Sequence, residues 1–303
     1  MTNPAAPGVL SPWPSCSIPP LPPERGFESS ATTELRPRYE DIAQDGRVQL
    51  TALMPGLGAV WRALGSSKML ETFRAQGVLP ILRRLVIVGE KGPFSVEAPI
   101  HCSGTWRLAR EKGGDRIFAD MWMDAYAPIG SVFAPPERGA ERVLVGRVYA
   151  EHVVTRPFAP PAERKVTRLD APGLPPVPED EHALEEAEDL VAGHSLERVA
   201  EHVFGMMHTD SNQHVNSLAY PRLFEEAVVR TLAQRPDVRD PSSLFARAVE
   251  LRYRKPFFTG ERASIALHAE PVSSGPYRVA AVGAFAPSGG APKPSCTLAM
   301  WLD

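Results

Sequence analysis

Cysteine is scarce in this sequence, which has only three among 303 residues: Cys16, Cys102 and Cys296. They lie far apart, and none belongs to a CxxC motif or to a cysteine–histidine spacing typical of zinc ligands. This scarcity argues against a disulfide scaffold and against a structural zinc site. It favours a protein of the reducing cytoplasm.

Long apolar runs and excess positive charge are also missing. No hydrophobic stretch approaches the roughly 20 residues that a membrane-spanning helix needs. The formal net charge of −3 gives no support for nucleic acid or an anionic membrane as a partner. The chain begins Met1-Thr2-Asn3-Pro4, without the basic and apolar segments of a secretory signal. We therefore expect a cytoplasmic protein with no membrane span and no nucleic-acid partner.

Several catalytic motifs are absent as well. Without a Gly-x-Ser-x-Gly elbow, an α/β-hydrolase would lack its nucleophile. No GxxxxGK[ST] loop and no GxGxxG after a strand supports a nucleotide cofactor. His208 and His214 are six residues apart, with no third residue at a metal-ligand spacing. The sequence thus predicts neither a metal nor another cofactor.

Proline is abundant, and its distribution suggests the domain organisation. Residues 1–30 are rich in proline and lack periodicity, so we expect an extended segment that is either disordered or laid along the surface. A second proline-rich and acidic stretch, residues 161–192, is the expected linker. Residues 31–160 and 193–303 are then the two expected domains, a comfortable division for this length.

A polar, turn-prone stretch precedes the clearest helix pattern of the chain. It contains Asp210, Asn212 and His214, and either Asn216 or Ser217 is suited to cap the helix that follows. The apolar positions of that helix have helical spacing: Leu223, Phe224, Ala227, Val228 and Leu232. Unpaired N–H groups at a helix N-terminus suit a developing oxyanion, and Asp210 is near enough in sequence to act on the carbon that bears it. The alternative is that Asp210 and Asn212 are only turn residues.

The order Asp210-x-Asn212-x-His214-Val215-Asn216, with Tyr220 and Glu226 downstream, resembles the signature of hotdog-fold acyl thioesterases. The likeness is to the acyl-carrier-protein thioesterases and the 4-hydroxybenzoyl-CoA thioesterase group. Residues 250–262 resemble the first long strand after that family's central helix. The resemblance implies an α+β hotdog fold, in which a curved antiparallel sheet wraps a long helix, with the active site at the seam between two copies.

The resemblance also implies roles for individual residues. Asp210 would activate water or attack the thioester carbonyl, Asn212 would orient the water or the carbonyl, and His214 would assist proton transfer. The expected substrate-binding residues are Asn216, Tyr220, Glu226 and Arg254. One departure is that Pro256 occupies the position where the acyl-carrier-protein thioesterases are thought to have a further acid. A mechanism that needs a second carboxylate there is therefore in doubt.

The polar stretch that precedes the helix occurs twice in the sequence. Residues 38–49 can be laid without a gap on residues 205–216, which places Ala43 at the position of Asp210 and Arg47 at that of His214. Helix and strand signals then follow in the same order in both halves. This predicts two tandem hotdog domains forming an internal pseudo-dimer, with one active site per chain because the first copy has lost its aspartate. Further homo-oligomerisation is left open.

Strand signals occupy residues 78–88, 96–108, 116–126 and 142–154 in the first half. In the second half they occupy residues 245–254, 262–269, 277–285 and 296–302. Helical patterns reach to about residue 77 and residue 234, and Gly56-x-Gly58 is expected to form a local bend.

The predicted function is hydrolysis of an acyl thioester carried on coenzyme A or an acyl carrier protein, without a cofactor. The alternative is a hotdog protein that binds acyl thioesters without hydrolysis, or that serves dehydration or acyl transfer in lipid or polyketide assembly.

Overall fold

The computed structural model describes residues 13, 16–22, 29–64, 66–131, 133–137, 139–169, 177–178, 189–236, 238, 240, 243–272, 276–290 and 293–303. The first half of the chain contributes β1 (Ser30–Leu35), α1 (Met54–Ala63), α2 (Ser66–Ala75), β2 (Leu79–Gly89), β3 (Ile100–Arg110), β4 (Ile117–Pro128) and β5 (Arg142–Thr155). The second half contributes β6 (Glu197–Val203), α3 (Ala219–Ala233), β7 (Ala246–Tyr253), β8 (Arg262–Pro271), β9 (Val279–Pro287) and β10 (Cys296–Leu302).

These strands form one antiparallel sheet in the order β1-β3-β4-β5-β2-β7-β10-β9-β8-β6. From either edge to the middle, the order is the same: an edge strand, a three-stranded meander, and the strand that follows the helical region. The halves meet where β2 pairs with β7, with Leu85 opposite Leu251. The predicted α+β class and the tandem pairing of two hotdog units are thereby confirmed.

One face of the sheet carries the helices and the main core. Leu57 of α1 and Phe224 of α3 belong to a single buried cluster with Leu85 and Leu251 from the two central strands. Burial of a side chain of this size contributes about 1.5–3 kcal/mol to stability. Because the cluster crosses the junction of β2 and β7, the two halves share one core.

The two turns that precede α1 and α3 have the same backbone design. Ile42 forms an isolated bridge with Val48 in the first turn, and Thr209 forms one with Val215 in the second. Ile42 and Thr209 are 167 residues apart, as are Val48 and Val215, which is the offset that the ungapped repeat predicts. A short 3-10 helix occupies equivalent positions before each bridge, at Tyr39–Asp41 and Met206–His208.

The repeat extends to individual hydrogen bonds. Gly46 N–H donates to the Ala43 carbonyl, and Gln213 N–H donates to the Asp210 carbonyl, each at 2.9 Å. Gly46 and Gln213 both have positive φ, 82° and 64°. The two copies therefore share one turn conformation despite different side chains.

The opposite face of the sheet is covered in part by the proline-rich N-terminal segment. The Trp122 indole N–H donates to the Pro19 carbonyl at 3.0 Å, and Ile18 packs beside Trp122 and Tyr149. Cys16 packs farther along, against the buried cluster that contains Trp301. The described part of this segment thus follows the sheet surface across both halves.

The eight strands predicted from the pattern are present with small shifts at their ends, but β1 and β6 were not predicted. Both are edge strands, at the two ends of the sheet. Their side chains are only partly buried or exposed, so they lack the apolar alternation that marks a core strand. The helical region of the first half is also two helices, α1 and α2, instead of one.

The bend expected at Gly56 and Gly58 is wrong, because both residues lie inside α1. A Cβ atom at Gly56 would lie 2.7 Å from Cys102 Sγ and 3.0 Å from Met123 Sδ. The glycine is needed because the helix approaches the sheet too closely there for a larger residue.

Residues 170–176 and 179–188 of the predicted linker lie outside the described residues. In the residues that are described, no helix combines the length and the apolarity that crossing a membrane requires.

Candidate active site

Asp210 lies in the turn before α3, with a half-buried side chain. Its Oδ1 accepts the Asn212 N–H at 2.9 Å, and its Oδ2 accepts the Asn216 side-chain amide at 2.8 Å. The Asn216 Oδ1 in turn accepts the N–H of Leu218, the residue that precedes α3, at 2.8 Å. Asn216 therefore joins the Asp210 carboxylate to the start of the helix.

Asn212 and His214 lie on the same turn. The Asn212 side chain is exposed, and His214 is half-buried. His214 Nδ1 is 3.2 Å from the Val215 carbonyl. Since a carbonyl only accepts, this contact requires a proton on Nδ1, and the neutral ring then has Nε2 as an acceptor. Nε2 is the nitrogen left for proton transfer.

Aromatic residues of the core support the Asp210 turn. Val215 N–H donates to the Phe257 carbonyl at 2.7 Å, and the buried Tyr220 hydroxyl accepts the Phe257 N–H at 3.3 Å. The Tyr253 hydroxyl donates to the Ser217 carbonyl at 3.0 Å. Burial raises the pKa of both tyrosines well above the ordinary value, so both stay protonated. Tyr220, predicted to bind substrate, therefore supports the turn from the core.

Glu226 and Arg254, the other two predicted substrate-binding residues, both have exposed side chains. Glu226 pairs with Arg230 one helical turn later, at 2.5 Å. Arg254 Nη1 donates to the Pro294 carbonyl at 3.2 Å. The structure therefore brings Asp210, Asn212, His214 and Asn216 together, whereas Glu226 and Arg254 are bonded to other groups.

A pair of histidines next to the turn was missed by sequence reasoning. The rings of His202 and His208 meet edge to face, with centroids 4.7 Å apart. His202 Nε2 is buried, and no described residue forms a hydrogen bond with it. Burial, and secondarily the neighbouring His208, lowers the pKa of His202. The residues come from β6 and the 3-10 helix, so no sequence spacing marks them as neighbours.

The equivalent turn of the first copy has different side chains and different bonds. Ala43 has no carboxylate to bond, and Gln49, at the position of Asn216, makes no capping bond to the helix. Arg247 of β7, only 3% exposed, pairs with both Asp45 of this turn and Asp303. The first-copy turn is thus tied into the junction of the halves by ion pairs.

Two cavities flank the helices, and the repeat relates them. One, of about 310 Å³, lies between residues 42–51 and residues of α3 and β7 that include Pro221 and Arg247. The other, of about 220 Å³, is lined mainly by apolar residues of α1 and the sheet: Met54, Leu57, Gly58, Trp61, Pro80, Ala119, Met121, Ala150 and His152. The strands β2 and β7 carry matching bulges, so Ala150 opposite Leu85 is equivalent to Met300 opposite Val249. Ala150 lines the smaller cavity and Met300 the larger one, and the two cavities therefore share one equivalent wall position on opposite sides of the junction.

Among the described residues that line the smaller cavity, His152 is the one titratable group. Burial lowers its pKa to about 4. The imidazole is therefore neutral near pH 7, which keeps this cavity free of charge. In the described parts of the chain no cluster of three or more histidine, cysteine, aspartate or glutamate residues has the geometry to hold a metal ion.

Structural matches to solved proteins extend over most of this chain. An acyl-ACP thioesterase from Bacteroides thetaiotaomicron has 13% sequence identity and a TM-score of 0.57, and the match covers 90% of this chain and 98% of that one. The 12:0-ACP thioesterase from Umbellularia californica has 14% identity and a TM-score of 0.56, and the match covers 92% of this chain and 95% of that one. No family model and no curated protein matches the sequence. At these identities the likeness establishes the double-hotdog fold.

Proposed function

We propose that this protein hydrolyses an acyl thioester carried on a pantetheine thiol, of coenzyme A or of an acyl carrier protein. The observation that carries the proposal is the Asp210 carboxylate, fixed between the Asn212 N–H and the Asn216 amide at the start of α3. Two double-hotdog structures of similar extent bear the names of acyl-ACP thioesterases, which supports the same reaction class.

In the proposed reaction Asp210 is the base or the nucleophile. As a base it takes a proton from water, whose oxygen attacks the carbonyl carbon. The carbonyl oxygen gains negative charge near the N-terminus of α3, where the helix dipole favours an anion. The C–S bond then breaks, the thiolate takes a proton, and a free acid and a free thiol result.

Asn212 and His214 are the proposed helpers in this step. The Asn212 side chain is exposed at the turn, where its amide can orient water or the thioester carbonyl. His214, with Nδ1 directed to a carbonyl, offers Nε2 to a proton in transit. Pro256 stands where a second acid would be expected, so the mechanism relies on Asp210 as its one carboxylate.

The cavity beneath α1 is the proposed acyl site. Its lining includes Ala150, the equivalent of Met300 in the cavity that faces the first-copy turn, and this relation supports an acyl site near the Asp210 turn. Its walls include Leu57, Trp61 and Met121, and an apolar lining suits a hydrocarbon chain.

Free-thiol release from a panel of acyl-CoA and acyl-carrier-protein substrates tests the proposal. We expect release by the wild type and a loss of roughly 100-fold or more in kcat for Asp210→Asn, because the loss of a general base typically costs this much. Asp115→Asn, which changes an exposed carboxylate paired with Lys165, is the matched control and should keep full activity. Tight binding of acyl thioesters without release by the wild type would instead support the non-hydrolytic alternative.

A further inference from the structure

The larger cavity lies at the junction of the two halves, and we call it the junction cleft. One wall is the first-copy turn, and the other is formed by α3 and β7. The volume of about 310 Å³ is at the low end of ligand-binding pockets. A slender chain fits such a space better than a whole nucleotide cofactor. The residues that line the cleft are Ile42, Ala43, Gln44, Val48, Gln49, Leu50, Thr51, Pro221, Arg222, Glu225, Phe245, Ala246, Arg247 and Met300.

Several polar side chains of the cleft have donor or acceptor atoms that are available to a ligand. Gln44 and Gln49 are exposed, and their side-chain amides make no hydrogen bond to the described part of the protein. The Arg222 guanidinium donates through Nε to Thr51 Oγ1 at 3.1 Å, which leaves both Nη groups. Glu225 uses one carboxylate oxygen to accept the Ala246 N–H at 2.9 Å. The cleft therefore offers amide donors and acceptors, a guanidinium and a carboxylate oxygen.

The charge balance of the cleft favours a ligand segment without net charge. Arg247 is neutralised by Asp45 and Asp303, while Arg222 and Glu225, three residues apart on α3, add one charge of each sign to the lining. Burial raises the pKa of Glu225, an effect opposed by the Ala246 N–H and by Arg247. Phe245 and Met300 supply apolar wall between these polar groups. The lining thus alternates hydrogen-bonding groups with apolar surface.

The first-copy turn has the backbone of the Asp210 turn without its carboxylate. The bridge, the 3-10 helix and the left-handed residue occur at equivalent positions in both copies. Ala43 replaces the aspartate, so a thioester that entered the junction cleft would meet no base or nucleophile at that position. The scaffold of the proposed active site is therefore retained as a binding site alone.

We propose that the junction cleft binds the pantetheine arm of a thioester or free thiol and does not cleave it. Pantetheine is a narrow chain with two amides, a hydroxyl and a dimethyl group, which matches the alternation of the lining. The choice of pantetheine rests on the proposed function, since it assumes that this chain acts on thioesters.

The test is a titration with pantetheine in which binding is monitored by hydrogen exchange of the backbone amides of residues 42–49. We expect pantetheine to bind and to slow exchange of this segment in the wild type. The double variant Gln44→Ala/Gln49→Ala should bind it roughly tenfold more weakly or worse, because two amide partners are removed. Both glutamines are exposed, so the variant should fold normally. Gln234→Ala, which removes an exposed glutamine at the end of α3, is the matched control and should bind as the wild type does.

Coenzyme A and a holo acyl carrier protein, titrated separately, distinguish the two sources of the arm. Whichever source protects residues 42–49 from exchange is the ligand. Unchanged exchange of this segment with all three probes, or equal pantetheine affinity of the double variant and the wild type, overturns the proposal. Thiol release by the double variant should remain at the wild-type rate. Release without binding at the cleft overturns only this inference, and binding without release by the wild type overturns only the proposed function.

Discussion

Asn216 is the residue on which the candidate site depends most directly after Asp210. Its Oδ1 accepts the Leu218 N–H, and its Nδ2 donates to the Asp210 carboxylate. An amide side chain offers both an acceptor and a donor, so one residue stabilises the start of the helix and holds the carboxylate. The helix cap expected at Asn216 or Ser217 is wrong, because the N-cap residue is Leu218, and Asn216 instead binds the N–H of that residue.

Two substitutions of Asn216 separate the roles. We expect Asn216→Ala to lower the free energy of unfolding by about 1 kcal/mol, because the Leu218 N–H loses its hydrogen-bond acceptor, and to lower kcat as well. Asn216→Ser keeps a short acceptor for the Leu218 N–H but removes the amide donor, so stability should return while kcat stays low. Chemical denaturation and thiol release measure the two effects. Full activity in Asn216→Ser would show that the contact with Asp210 has no catalytic importance.

At the level of the element, the repeated turn shows how one backbone conformation accommodates two sequences. Gly46 has φ of 82°, and a Cβ atom there would lie 2.5 Å from Pro93 Cβ. Gln213 adopts the same left-handed region with a Cβ already present, and its side chain is exposed. The first copy is packed against a neighbouring segment at this point, and glycine is the residue that permits the contact.

We therefore expect Gly46→Ala and Gln213→Ala to have different effects on stability. Gly46→Ala should lower the free energy of unfolding by about 1–3 kcal/mol, because left-handed strain and a close contact are both introduced. Gln213→Ala, the matched control at the equivalent position, should change it by less than about 0.5 kcal/mol. Denaturant unfolding of the two variants measures the difference. Equal effects would mean that neither the left-handed conformation nor the contact with Pro93 is costly for an alanine at position 46.

At the scale of the whole molecule, the face opposite the helices carries a buried ionic network. Arg107 pairs with Asp120 at 3.0 Å in the first half, and Arg84 of β2 pairs with Glu250 of β7 at 2.8 Å across the junction. The Tyr149 hydroxyl lies 3.5 Å from Glu151, which is 4% exposed. Buried charges of this kind are costly unless paired, and they make stability depend on pH.

Glu151 is the member of this network whose titration should be visible in the pH dependence of stability. Burial, and secondarily Asp120, raises the pKa of Glu151 from its ordinary 4.5 to about 7, against the opposing influence of Arg83 and Arg84. A carboxyl whose pKa is raised by folding stabilises the protein below about pH 4.5. That contribution is lost as the pH rises through about 7.

Glu151→Gln keeps the size of the side chain and removes its titration. We expect the variant to be more stable than the wild type above pH 7, by on the order of 1–3 kcal/mol, with the difference shrinking toward pH 5. Unfolding by denaturant between pH 5 and 8.5 measures the difference, and Glu163→Gln, at an exposed site, is the control. Parallel stability curves for the wild type and Glu151→Gln would contradict the raised pKa.

The sequence by itself determined the parts of this protein that depend on short-range order. Eight of the strands, the helix α3 and the repeated turn follow from periodicity and from residues within about a dozen positions of one another. The grouping of Asp210, Asn212, His214 and Asn216 was predictable for the same reason, because a single tight turn holds all four. The edge strands β1 and β6 were not predicted, since half-exposed polar strands have no distinct pattern of apolar residues.

Only the tertiary structure decided which distant groups meet. It directed Arg254 toward Pro294, and it placed Tyr253 and Tyr220 against the Asp210 turn. The junction cleft and the ionic contacts across β2 and β7 depend on the register between strands more than 160 residues apart. Side-chain periodicity specifies which face of an element is buried. The partner that covers this face is chosen only when the two halves pack together.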